Sequence, residues 1–130
     1  MGIIKVLIVD DNKDITDLLS KFLKTKGFET IVINDAMEGL RHIQQEQYDV
    51  ILLDISMPEI SGFNIIDTLE TNEILKNLNI FIFSANAFSD IHIKNLLRKD
   101  GISGCLKKPL RLDELLATIT SWGFYFPKIG

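Results

Sequence analysis

The chain has 130 residues, 46% hydrophobic and 25% charged, with a formal net charge of −4. That is enough for one domain with one core, and the acidic balance, with a pI of about 5.1, argues against a nucleic-acid-binding role. No apolar run reaches the length of a membrane span, and a single cysteine, Cys105, excludes an internal disulfide and suits a reducing cytoplasm.

In chain order, Ile3-Ile4-Lys5-Val6-Leu7-Ile8-Val9 reads as a first strand. It begins too early for a signal peptide to be expected, and Val6 stands where a myristoylation signal needs Ser or Thr. Asp10 and Asp11 follow the strand. Asn12 or Asp14 can cap a first helix whose apolar face is Ile15, Leu18, Leu19, Phe22 and Leu23; Gly27 stops it. Residues 29–33 read as a second strand. Residues 36–46 read as a second helix with Met37, Leu40 and Ile43 inward. The third strand, 49–54, ends on Asp54. Pro58 and Gly62 make 57–62 a loop, and 63–70 is a third helix with Ile66 and Leu69 apolar.

The fourth strand, 80–83, ends at Ser84. A fourth helix is expected at 90–99 with Ile93, Leu96 and Leu97 inward, ended by Gly101. Residues 104–107 form a short fifth strand. Lys108-Pro109 follows, and Pro109 cannot continue the ladder. Leu112, Leu115, Leu116 and Ile119 mark a fifth helix. No repeat, low-complexity segment or linker stands out before residue 121. Repeated strand–helix units imply a parallel sheet with right-handed crossovers and helices on both faces. Open sheets of this kind place their sites at the carboxyl edge of the strands, where Asp10, Asp11 and Asp54 all fall. Three carboxylates gathered there repel one another unless a hard cation such as Mg²⁺ holds them. The residues alone thus point to metal-assisted chemistry or to anion handling.

Singly, each position has an ordinary explanation. Asp10 or Asp11 can cap a helix, Asp54 can serve a turn, Ser84 can be a satisfied hydroxyl and Lys108 a solvated charge. Together and in order, Val9-Asp10-Asp11-Asn12, Leu53-Asp54-Ile55-Ser56-Met57-Pro58 with Gly62, Phe83-Ser84-Ala85 and Lys108-Pro109 resemble the receiver domain of two-component response regulators over about residues 3 to 121. The resemblance implies a flavodoxin-like, doubly wound α/β fold: a five-stranded parallel sheet of order 2-1-3-4-5 with five helices on both faces. It implies a receiver domain at 1–121, followed by an aromatic C-terminal tail at 122–130. It also implies that Asp54 is the phosphoacceptor, and that Asp10, Asp11, Asp54 and the Ser56 backbone carbonyl bind Mg²⁺. Ser84, Ala85 and Lys108 would attend the phosphoryl group. Lys108 is preferred to Lys107 because it directly precedes Pro109.

The implied partners are a sensor histidine kinase or a histidine phosphotransfer protein, and a downstream protein reading the face of helix four, strand five and helix five. Neither nucleic acid nor membrane is expected as a partner, and the cytoplasm is the expected location. A short lead-in before the first strand is expected of a stand-alone or N-terminal receiver. Basic residues Lys94, Arg98, Lys99, Lys107 and Arg111 surround that reading face; solvated charge is their simpler explanation.

Cys105 departs from the family, which often has Tyr or Phe at that place. A small buried hydrophobe is the favoured reading, with output then resting on Ser84 and the loop 86–89. Ser56 and Asn86 stand two positions past Asp54 and Ser84, at places that in the family influence how fast water removes the phosphoryl group. Trp122, Phe124, Tyr125 and Phe126 put four aromatic rings into five residues, expected to pack on helix five or the sheet edge, or else to dock a partner or second copy. A Mg²⁺-dependent phosphohydrolase with an aspartyl nucleophile is the enzyme alternative, but Ser56 stands where such enzymes place their acid/base Asp. A flavin carrier lacks its phosphate loop after strand one. A receiver-shaped binding module that takes no phosphoryl group is the remaining alternative.

Overall fold

Runs of Val, Ile, Leu and Phe that alternate toward two apolar layers can be covered only from both sides. That is the arrangement in the computed structural model, which describes residues 2–85 and 90–121. Strands β1 (Lys5–Val9), β2 (Glu29–Ile33), β3 (Val50–Asp54), β4 (Ile80–Ser84) and β5 (Ile102–Lys107) form one parallel sheet of order β2-β1-β3-β4-β5. Helices α1 (Lys13–Thr25), α2 (Ala36–Gln45), α3 (Gly62–Thr71), α4 (Ile91–Leu96) and α5 (Leu112–Ser121) alternate with the strands, and a 3₁₀ turn at Leu75–Asn77 precedes β4. Fold class and strand order are those implied by the resemblance. No helix among the described residues is long and apolar enough to cross a membrane.

Strand alternation divides the core in two. Leu7, Val9, Ile51, Leu53, Ile80 and Ile82 face a cluster completed by Leu40, Ile66 and Ile93 from α2, α3 and α4. Val6, Ile8, Val50, Leu52, Phe81 and Phe83 face Leu19, Leu23, Leu115 and Ile119 from α1 and α5. The pairings Val9↔Leu53 and Asp54↔Phe83 bring the three central strand ends level. The helices start at this same edge. Asn12, Asp35, Ser61 and Asp90 each cap the helix that follows by accepting a backbone N–H. At the far end of α1, Gly27 at φ +93 lets its N–H reach the Lys24 carbonyl and the Phe28 N–H reach the Leu23 carbonyl. Gly27→Ala is expected to lower stability by about 1 kcal/mol, since a Cβ disfavours that backbone region; an unchanged urea midpoint would show that the helix end relaxes.

Three residues expected to point inward do not. Leu18 is 55% exposed and Met37 50% exposed, and Leu97 is also exposed. In α1 the buried stripe runs through Thr16, Leu19, Ser20 and Leu23. It is turned toward β2 because the Ser20 and Thr30 hydroxyls bond each other at 2.6 Å, and an apolar pattern cannot register a satisfied hydroxyl. In α2 the small residues Ala36 and Gly39 make the close contact with the sheet. A Cβ on Gly39 would lie 2.6 Å from Val9 Cγ1, so Met37 is turned outward. Leu97 is the C-cap of an α4 shorter than expected, not part of its buried face. β5 starts at Ile102 rather than 104, because an irregularity in its pairing with β4 skips Ser103. β1 starts at Lys5, leaving Ile3 exposed. The loop 86–89, including Asn86, and the aromatic tail 122–130 lie outside the described residues.

Candidate functional site

A strand buried on both faces is a rigid mount, so residues at its end are placed by the sheet itself. Asp54 closes β3, paired with Phe83 of β4 and buried. Asp10 lies one residue past β1, held by its N–H donating to the Ile33 carbonyl at 3.2 Å. Asp11 follows and is exposed. Carboxylate oxygens of Asp10, Asp11 and Asp54 lie within 4.8 Å of one another. Lys108 arrives from the next strand pair: its N–H donates to the Ser84 carbonyl at 3.0 Å, one step beyond β5. The peptide joining it to Pro109 is cis. The Lys108 ammonium donates to Asp54 Oδ1 at 2.9 Å and stands 3.7 Å from Asp10 Oδ2. Lys107 is exposed.

Asp54 Oδ1 also accepts the Ser56 N–H at 3.2 Å, and Asp10 Oδ1 accepts the Asn12 N–H at 3.0 Å. Asp10 Oδ2 is buried and accepts no hydrogen bond among the described residues. Burial first, then the charge of Asp54, raises the Asp10 carboxyl to about 6, against the opposing Asn12 N–H and the Lys108 charge. Three carboxylates share one cation, so the site holds surplus negative charge and an unsatisfied buried oxygen. Both features fit a hard divalent cation with oxygen ligands. Asn12, rather than Asp14, is the α1 cap.

Ser84 ends β4 and is buried; Ala85 beyond it is exposed, as is Ser56. The loop after Asp54 turns back over the strand end, with the Gly62 N–H donating to the Ile55 carbonyl at 3.0 Å. A Cβ at Gly62 would meet the Asp54 carbonyl oxygen at 2.8 Å. Gly62→Ala is therefore expected to cost about 1–2 kcal/mol by pressing on the peptide of Asp54. Equilibrium unfolding checks this, and an unchanged free energy would show that the loop gives way instead.

Cys105 is half-buried against the α2–α3–α4 cluster. Burial pushes its thiol up to about 11, which keeps it protonated and unreactive. The basic residues near α4 are divided. Lys99 pairs with Glu70 at 2.8 Å and Arg111 with Asp113 at 3.2 Å, whereas Lys94, Arg98 and Lys107 make no ion pair among the described residues. One residue at the site carried no motif. Asn34, at the exit of β2, donates from Nδ2 to the Asp10 carbonyl at 2.8 Å. An Asn ahead of a helix-capping Asp gives no sign of this, because the contact spans 24 residues and depends on β2 lying beside β1.

Known proteins agree with this geometry. A family profile described as the response regulator receiver domain matches residues 6–120. The chain is 33% identical to the transcriptional regulatory protein CpxR homolog of Haemophilus influenzae over 88% of this chain and 48% of that protein. It is 28% identical to the polar-differentiation response regulator DivK of Brucella ovis, over 90% of this chain and 94% of that one. The solved structure of the chemotaxis response regulator CheY4 of Vibrio cholerae superposes with a TM-score of 0.79 at 28% identity, covering 92% of this chain and 98% of that one. The chain thus spans about half the length of the first relative and nearly all of the other two. With the sheet order, the acidic cluster at the strand ends and this match along almost its whole length, the chain belongs to the response regulator receiver domain family, the signalling domains of two-component systems.

Proposed function

We propose that this receiver is a phosphorylation-controlled switch in which Asp54 accepts a phosphoryl group from the phosphohistidine of a sensor histidine kinase or a histidine phosphotransfer protein. The observation that carries this is the Lys108 ammonium at 2.9 Å from a buried Asp54, beside two further carboxylates. An Asp54 oxygen forms the new bond to phosphorus as the P–N bond of the donor breaks, the electron pair leaving on the imidazole nitrogen. The protein's task in such a transfer is positioning and charge neutralisation. Asp10, Asp11, Asp54 and the Ser56 backbone carbonyl would hold Mg²⁺, which when bound supplies charge neutralisation for carboxylates and phosphoryl oxygens alike.

Lys108, freed from Asp54, turns its point charge to the phosphoryl oxygens. Ser84 donates its hydroxyl to them, and the small side chain of Ala85 leaves the approach open. The added charge and acceptor oxygens bias a surface that a downstream protein reads at α4, β5 and α5. With Cys105 at the place of the family's aromatic ring, output rests on Ser84 and the loop 86–89. This chemistry belongs to the cytoplasm, where the kinases of such systems present their phosphohistidine. Incubation with acetyl phosphate and Mg²⁺, followed by intact-mass measurement in the cold at neutral pH, tests the reading. One added phosphoryl group that vanishes when Mg²⁺ is chelated is the expected result. No adduct, together with no beryllofluoride binding, would overturn it.

A further inference from the structure

Asp11 is the least anchored member of the acidic cluster. Asp10 is tethered through Oδ1 by the Asn12 N–H, and Asp54 through Oδ1 by Lys108 and the Ser56 N–H. The exposed Asp11 carboxylate makes no hydrogen bond among the described residues, so only its backbone fixes where the side chain sets out from. That backbone is held from outside its own strand. Asn34 Nδ2 donates to the Asp10 carbonyl at 2.8 Å and to Thr16 Oγ1 at 2.9 Å. The Thr16 hydroxyl gives its proton to the Lys13 carbonyl at 3.0 Å, so it meets Asn34 as an acceptor. Two acceptors at one nitrogen fix which way the amide faces. Thr16 is fully buried, where a lost partner is poorly replaced by water.

We propose that Asn34 is a positioning residue for the acidic site. One side chain at the exit of β2 joins the exit of β1 to the first turn of α1. It thereby sets the Asp10–Asp11 peptide and the direction in which Asp11 meets the two buried carboxylates. The inference rests on the reading of this cluster as a Mg²⁺ site. Mutating residues that orient metal ligands from behind typically weakens metal binding by roughly 10–100-fold.

A control is built into the fold. The Ser20–Thr30 hydroxyl pair also joins α1 to β2, at 2.6 Å, without touching Asp10. Calorimetric titration of the full chain with Mg²⁺ is expected to show about tenfold weaker binding in Asn34→Ala and Asn34→Leu, and a change within about twofold in Ser20→Ala. In the metal-free protein, the Asp11 amide resonance, which reports on the peptide bearing the Asp10 carbonyl, should move in the Asn34 variants and stay in Ser20→Ala. Asn34 variants binding like the parent would overturn the positioning role, as would equal weakening in Ser20→Ala, which would reduce the effect to general stability. Amide shifts that move as expected in the Asn34 variants, together with a parent that binds no Mg²⁺, would overturn the reading of the cluster itself, and the positioning role with it.

Discussion

Asp54→Asn is expected to abolish acetyl-phosphate labelling entirely while leaving the fold intact. The amide matches the carboxylate in shape, and its oxygen can still accept from the Lys108 ammonium and the Ser56 N–H, the two donors that hold Asp54 Oδ1. It lacks the anionic oxygen that would form the bond to phosphorus. It also lowers the charge of the cluster by one, so Mg²⁺ binding should weaken alongside. Circular dichroism should show the parent spectrum, and intact mass should show no adduct. Labelling of the variant at the parent rate would mean that another carboxylate accepts the group. The exposed Asp11 would be the first to check, by mapping the labelled peptide.

The second large effect concerns stability and pH. In the folded protein the Asp10 carboxyl is raised from 3.8 to about 6. The fold therefore binds this proton more tightly than the unfolded chain does. Its stabilising contribution is complete below pH 3.8 and is lost as pH rises through about 6. A shift of that size is worth of the order of 2–3 kcal/mol. Without metal, Asp10→Asn should be the more stable protein at pH 7.5 by roughly that amount and should gain nothing near pH 4, where the parent carboxyl is already neutral. Adding Mg²⁺ should stabilise the parent more at pH 7.5 than at pH 5, because cation and proton compete for the same oxygens. The Asn variant should respond weakly at either pH. Urea unfolding of both proteins across this range, with Mg²⁺ and with a chelator, checks it. Parallel pH profiles would refute the claim that burial of Asp10 costs the metal-free fold stability. Function would here be kept at the expense of stability, as is common at active sites.

Much of this was legible in the residues. Buried parallel strands are near-continuous apolar runs, so each of β1, β3 and β4 announced itself, and the acid or hydroxyl that closes each run marked the functional edge. The start of α1 was legible too, since an Asn or Asp ahead of an apolar stripe reads as a cap, although only the structure chose Asn12 over Asp14 and added the caps Asp35, Ser61 and Asp90. What was misjudged were directions. Leu18, Met37 and Leu97 looked as buried as their neighbours, because hydrophobic spacing fixes a helix face only to within about a residue. In α1 the deciding partners, Thr30 and Asn34, belong to another element.

The sequence by itself determined the alternation of strands and helices, and that Asp10, Asp11, Asp54, Ser84 and Lys108 fall at the carboxyl ends of strands, because local pattern and chain order suffice for these. Only the tertiary structure decided three further points. The Lys108 ammonium reaches Asp10 as well as Asp54, at 3.7 and 2.9 Å. Asp10 carries a buried oxygen without a hydrogen-bond partner among the described residues. Asn34 grips the peptide between the two acids. Each depends on strands β1 to β5 lying in register, and a contact between distant segments exists only once the sheet has brought them side by side.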